Sequence, residues 1–217
     1  MDTEGSSRKI KEFFENFRLL HYKKGEIILR PYETPHGVFY LKRGYVRLYS
    51  VSEDGQELSL IIFKPGDFFP VIWLINNIQS PYYLDSLTSS SLLLVSKDKF
   101  LDFIKSDKDV FFELTSRALT RLGGILERMN YLVYGNAGQK LASIILILGE
   151  RFGEQKGNEI EIPIPMTHKD LANLLGVARE TVSIEMKKFE RKNLIEIKSR
   201  HLIVKKKELL EKEALLS

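Results

Sequence analysis

The sequence predicts an α+β protein in three consecutive parts: an N-terminal double-stranded β-roll of the cupin-like jelly-roll type, one long helix, and a C-terminal winged helix-turn-helix. Three observations carry this expectation. Short apolar runs punctuated by glycine fill residues 23–100, and an apolar seven-residue repeat runs through 107–136. In the C-terminal third, Ala172, Gly176 and Val182 form a small–glycine–branched series with spacings of four and six. The parts correspond to domains 1–106, 107–136 and 137–217.

Residues 1 to about 20 read as a charged lead and an amphipathic helix, with Ile10, Phe13, Phe14 and Phe17 on one face. Six strand candidates follow: Glu26–Leu29, Val38–Leu41, Tyr45–Val51, Glu57–Phe63, Tyr82–Leu87 and Ser91–Val95. Gly25, Gly44, Gly55 and Gly66 mark turns between them, and Asp54-Gly55 is a hairpin signal. Many short strands between regular turns indicate an antiparallel jelly roll.

From Asp107 the period changes. Phe111, Ala118, Ile125 and Leu132 recur every seven residues, with Thr115, Leu122 and Met129 four residues after the first three. Such a seam suits helix pairing in a homodimer, with Phe111, Ala118, Leu122, Ile125, Met129 and Leu132 at the interface. A core helix packed on its own roll would show a similar stripe. Gly123-Gly124 interrupts the seam at roughly 1 kcal/mol per glycine relative to alanine, and permits close approach of a partner backbone or a bend. The helix should break near Gly135–Gly138, before a second helix from Gln139 to about Phe152 and a short strand at Ile160–Ile164.

Thr167 with Asp170 has the spacing of a helix N-cap and its acidic partner. Leu171, Ala172, Leu174 and Leu175 form the inner face of a first short helix, and Gly176 stands where a tight turn needs no side chain. A second helix begins near Ala178 and turns Val182, Met186 and Phe189 inward. Two alternating strands follow around a basic tip, Lys198-Ser199-Arg200, as a wing. Between Arg179 and Lys207, ten basic residues face four glutamates, a local excess larger than the net +4 of the whole chain.

An arginine reaches guanine O6 and N7 bidentately, and a glutamate accepts from cytosine N4. Arg179, Glu180, Thr181 and Ser183 are therefore candidates for base contacts. Lys187, Lys188 and Arg200 suit phosphates. Thr167 and His168, at the start of the first helix, complete the candidate DNA-contacting set. Glu180 is informative, because a binder relying on charge alone has no use for a carboxylate there. Helix-turn-helix geometry also occurs in helical domains that bind no DNA, where Arg179 and Glu180 would be a surface pair.

The composition excludes several classes. With no cysteine there are no disulfides, thiolate nucleophiles or cysteine-held metal clusters. Neither a long apolar run nor a signal-peptide core is present, so a cytoplasmic protein without membrane contact is expected. His21, His36, His168 and His201 are scattered, and no HExxH, GxSxG, phosphate-loop or GxGxxG motif occurs. An enzyme is not expected, nor a metal or other cofactor; a cupin-type metalloenzyme is the rival class.

This arrangement resembles the cyclic-AMP receptor/FNR (CRP/FNR) superfamily of bacterial transcription regulators. The likeness runs from KKGEIILRPYETPHGVFYLKRGYVRLYSVSEDGQELSLIIFKPGDFF through the long helix to ARETVS. It implies an effector-sensing roll and a homodimer on double-stranded DNA with a near-palindromic site, half-sites one helical turn apart. It also implies RNA polymerase as a partner. Family members commonly carry arginine, glutamate and a second arginine on the recognition helix. Arg179 and Glu180 match, whereas Ile184 stands at the later position. The cyclic-nucleotide members have Gly-Glu followed about ten residues on by Arg-Ser. Here Asp67 follows Gly66, no arginine occurs between Arg47 and Arg117, and Ile125 and Leu126 stand where base contacts would be expected. The expectation is thus a member without the nucleotide cassette, with a cyclic-nucleotide-responsive regulator of the same family as the alternative. Phe68, Phe69, Trp73, Tyr82 and Tyr83 crowd the family's ligand position, and Arg121 on the long helix could meet a carboxylate. These six are candidate contacts for a small non-nucleotide effector, although such aromatics also simply fill a roll.

Overall fold

The computed structural model describes residues 3–198 and 200–214. They fall into two units, one comprising the chain up to Val51 with Leu60–Leu122, the other Ser52–Ser59 with everything from Gly123 onward.

In the first unit, α1 (Thr3–Glu15) buries Ile10 and Phe14, the latter stacked on Tyr40 with ring centroids 4.9 Å apart. The helix ends at Glu15, earlier than periodicity suggested, and β1 (Arg18–Tyr22) pairs antiparallel with the last strand of the roll, Leu20 opposite Leu92. Its partner lies far along the chain, so local pattern could not distinguish this strand from a helix end. There follow β2 (Ile27–Leu29), β3 (Val38–Arg43), β4 (Val46–Val51), β5 (Glu57–Phe63), β6 (Phe68–Phe69), α2 (Val71–Asn76), β7 (Tyr83–Ser86), β8 (Ser90–Val95) and α3 (Lys97–Ser106). Two four-stranded sheets result, ordered β1-β8-β3-β6 and β2-β7-β4-β5.

Alternation along β3 explains why its residues 38–41 are apolar without a break. Phe39 and Leu41 enter the core with Leu48, Phe63, Leu84 and Leu92, while Val38 and Tyr40 join Ile10, Phe14, Phe100 and Ile104 under the helices. Gly44 has φ +89°, and a Cβ there would lie 2.5 Å from the Ser89 carbonyl oxygen, so only glycine fits. Arg47 and Asp85 stand opposite each other on β4 and β7 as a buried pair, Nη2 to Oδ2 2.6 Å and Nε to Oδ1 3.1 Å. The two parallel hydrogen bonds offset the desolvation of both charges.

The long helix is α4 (Lys108–Tyr134), 27 residues. Its inner face holds Val110, Glu113 and Tyr131, all buried. The apolar repeat lies on the other side: Phe111 is 58% exposed, Ile125 39% and Met129 55%, with Leu122 and Ala118 also exposed and Leu132 half-buried. The stripe is therefore not consumed by the chain's own roll. At Gly123 and Gly124 an added Cβ would meet nothing within 4 Å, so their occurrence has no cause inside this chain.

In the second unit, α5 (Ala137–Phe152) starts on a reciprocal cap. Asn136 Oδ1 accepts from the Gln139 amide at 3.0 Å and Gln139 Oε1 from the Asn136 amide at 3.1 Å, which fixes the break expected near Gly135–Gly138. β9 (Glu154–Lys156), wholly exposed, carried no apolar signal; β10 (Glu159–Ile162), α6 (His168–Leu175), α7 (Arg179–Arg191), β11 (Ile195–Lys198), β12 (His201–Val204) and α8 (Lys207–Glu213) complete the fold. The sheet order is β11-β12-β10-β9, and Ile144, Ile145 and Leu148 of α5 are buried.

Candidate nucleic-acid interface

The helix-turn-helix is assembled as its sequence requires. The Thr167 hydroxyl accepts from the Asp170 amide at 3.2 Å and donates to Asp170 Oδ2 at 2.7 Å, while the Thr167 amide donates to the same carboxylate at 2.8 Å. Replacing Thr167 with alanine should cost about 1 kcal/mol of stability, readable as a shift in a denaturant midpoint, because α6 loses its N-cap. That hydroxyl gives its proton to Asp170 and keeps one lone pair for a further donor. The neighbouring His168 is half-buried at the first position of α6. At the turn Gly176 has φ +64°, and its amide bonds back to the Ala172 carbonyl.

Val182, Met186 and Phe189 bury one side of α7. Residues at the spacing Glu180, Ile184, Lys187 and Arg191 take the opposite side and are all exposed. Arg179 is exposed beside them, and Thr181 and Ser183 are half-buried at the flanks. Arg179, Glu180, Lys187 and Arg200 make no ion pair among the described residues. Lys188 differs: its Nζ lies 2.7 Å from Glu185 Oε1, so it reaches a phosphate only by leaving a partner. Lys192, Lys205 and Lys207 are likewise spoken for by Glu213, by Glu159 and Glu196, and by Glu211. The basic excess that faces solvent freely is thus concentrated on α7 and the wing.

In the wing, Lys198 pairs with His201 across β11 and β12, leaving Arg200 exposed at the tip with φ +69°. Ser199, also assigned to the tip from the sequence, lies outside the described residues. At the wing's base His201 Nδ1 meets Glu161 Oε1 at 2.8 Å, and Lys156 together with His201 holds the Glu161 carboxyl below its ordinary range.

Three contacts in this unit escaped sequence reasoning. Asn173 Nδ2 donates to Glu57 Oε2 at 2.9 Å, and Arg128 donates to the Ser59 carbonyl at 2.6 Å and to the Leu174 carbonyl. The tip of the β4–β5 hairpin is therefore bound to the same unit as α6. Beside Arg128, burial pushes the Tyr131 hydroxyl up to about 12. Residues so distant in sequence carry no joint local signal.

Of the six residues expected around an effector, Phe69 lies in a core cluster against which Trp73 and Tyr82 pack, while Phe68 packs against the cluster under the helices. Phe69 is buried in the roll between Phe39 and Phe63, at 5.9 and 4.7 Å, whereas Phe68 packs on the helix side against Phe100 at 6.1 Å. Tyr83 stacks on Tyr49 at 5.1 Å, and Trp73 and Tyr82 meet edge to face at 5.9 Å. Adjacent residues of a strand point to opposite faces, which separates Phe68 from Phe69. Arg121 is held by Asp67 at 2.8 Å and lies over the Phe63 ring, and Arg117 binds Glu113 at 2.7 Å, Ser7 Oγ at 2.6 Å and the Gly66 carbonyl at 3.2 Å.

Among the described residues no helix is long and apolar enough to cross a membrane. Residues 139–213 match a Crp-like helix-turn-helix domain and residues 19–107 a cyclic nucleotide-binding domain. The second match spans the stretch that had been set apart from the cyclic-nucleotide members, so a roll without that cassette is not supported. The chain is 26% identical over 189 residues to the nitrogen fixation regulation protein FixK of Bradyrhizobium diazoefficiens, covering 87% of this chain and 78% of that protein. It is 22% identical over 188 residues to the fumarate and nitrate reduction regulatory protein of Yersinia pestis, covering 87% and 75%. Among solved structures, FixK2 from Bradyrhizobium japonicum superposes with a TM-score of 0.79 at 20% identity, covering 93% of this chain and 98% of that one. A CooA variant from Carboxydothermus hydrogenoformans gives 0.78 at 22%, covering 93% and 89%. With a cyclic nucleotide-binding domain joined to a Crp-like helix-turn-helix, in the fold of those regulators, the chain belongs to the CRP/FNR family of DNA-binding transcription regulators.

Proposed function

We propose that this chain acts as a homodimeric, sequence-specific regulator of transcription in the cytoplasm, reading a near-palindromic site through α7. The observation that carries the reading is the outward face of α7, where Arg179, Glu180 and Lys187 stand exposed with no ion pair among the described residues. Arg179 and Glu180 address base edges, with Thr181 and Ser183 at the flanks, while Lys187, Arg200 and, after leaving Glu185, Lys188 hold phosphates. Thr167 and His168, at the start of α6, approach the same backbone. The exposed seam of α4 joins two copies, and RNA polymerase is the partner through which the bound dimer acts.

A small non-nucleotide effector in the roll completes the reading. Its support is that residues 66–86 carry no cation, while Arg47 and Arg121 of the same unit are engaged by Asp85 and Asp67. The alternative is a cyclic-nucleotide-responsive regulator, which the match of residues 19–107 to a cyclic nucleotide-binding domain favours.

Selection from random duplex DNA by the ligand-free protein tests the reading. An enriched inverted repeat with half-sites about 34–36 Å apart is expected. Lys187→Ala should weaken all sequences alike and reduce the salt slope of binding by about 1. Salt-sensitive binding with no enriched sequence would overturn base reading by the free protein.

A further inference from the structure

One exposed residue of α7 has chemistry unlike its neighbours. Ile184 is 56% exposed, in the middle of a face otherwise made of Glu180, Lys187 and Arg191. It plays no part in the buried side of the helix, which is Val182, Met186 and Phe189. It follows Glu180 by four residues, so it sits on the same side about 6 Å further along the axis, within two base steps of whatever Glu180 contacts. A β-branched side chain also presents a stiff, well-defined apolar surface, since its χ1 is held to one rotamer in a helix.

In the major groove only thymine offers an apolar group, its C5-methyl; the other edges present donors and acceptors that an isoleucine would leave desolvated and unpaired. Resting on the base-reading role of α7 set out above, we propose that Ile184 is a specificity-determining residue that selects thymine at one position of each half-site by packing on that methyl group. The selection is positive, through burial of the methyl, and negative, because guanine, cytosine and adenine would each lose hydration of a polar edge against the isoleucine. Arg179 and Glu180 would then read a polar base pair beside an obligatory thymine.

The test is a paired selection, in which one random library is prepared with thymidine and the other with deoxyuridine, which lacks only the methyl. From the thymidine library, wild-type protein should enrich an inverted repeat with an invariant thymine in each half. From the deoxyuridine library the same repeat should appear with preference at that position lost. On isolated duplexes the methyl should be worth about fourfold in affinity per half-site, roughly fifteenfold when both are removed. Ile184→Ala, at an exposed position where folding does not depend on it, should bind thymidine and deoxyuridine sites equally while keeping the rest of the repeat. Identical enrichment from both libraries with wild-type protein, or a uridine penalty that persists in Ile184→Ala, would overturn the inference while leaving sequence reading intact. Enrichment from neither library would instead be the failure of base reading by α7 itself, and the Ile184 assignment would fall with it.

Discussion

Ile125→Glu is expected to convert the proposed dimer into monomers at micromolar concentration. In the single chain Ile125 is partly exposed, at the centre of a stripe that also holds Leu122 and Met129. Only its exposed 39% is left to bury in an interface, so removing that burial forfeits roughly 0.6–1.2 kcal/mol per copy. Each copy would also bring an unpaired carboxylate into the seam, facing a like charge. The combined effect exceeds about 4 kcal/mol, or roughly a thousandfold in the dimer constant. Sedimentation velocity reads the change directly. Unaltered far-UV dichroism would separate dissociation from unfolding, because no core residue of the single chain is touched. Met129→Glu is expected to behave in the same way, and a pair of variants that both remain dimeric would refute the α4 seam. The monomer should also lose high affinity for the inverted repeat, since one helix-turn-helix alone would engage one half-site.

Glu180→Ala should flatten base preference rather than simply weaken binding. A carboxylate near phosphates is repelled by the backbone of every sequence, so it is tolerated only if the correct base repays it, for example by donation from cytosine N4. Loss of that contact should cost about 1–3 kcal/mol on the preferred half-site, some tenfold to a hundredfold, while affinity for unrelated DNA stays level or rises as a negative charge is removed. Competition measurements on matched and mismatched duplexes at one fixed salt concentration distinguish the two. A uniform shift across all sequences, such as Lys187→Ala should give, would remove Glu180 from the base-reading set.

Much of the architecture was legible because it rests on local chemistry. The Thr167–Asp170 cap, the left-handed glycine at 176, the buried series Val182, Met186 and Phe189 and the strands of the roll all declare themselves within a dozen residues. Strands β1, β6 and β9 did not. The first is recognised only through its pairing with β8, the second is two residues long, and the third is polar throughout. The placement of the aromatic cluster likewise needed the fold. Composition places five aromatic residues within sixteen positions, but the pleat sends neighbours to opposite faces, so Phe68 and Phe69 serve different cores.

By itself, then, the sequence determined the kind of protein this is: period-two runs between glycines make the roll, a seven-residue repeat makes the long helix, and the capped helix pair with its basic excess makes the reading head. Only the tertiary structure decided which charges are available. Lys192, Lys205, Arg47 and Arg121 are equivalent to their neighbours in any count of charge, yet each meets a carboxylate brought within 2.5–3.1 Å by folding. A count along the chain is blind to such pairs, because Coulomb interaction depends on distance in space and on burial, and both are properties of the folded chain. The same holds for Ile184. Its departure from the family pattern was visible in the sequence, but its exposure at the centre of the α7 face is a fact of packing.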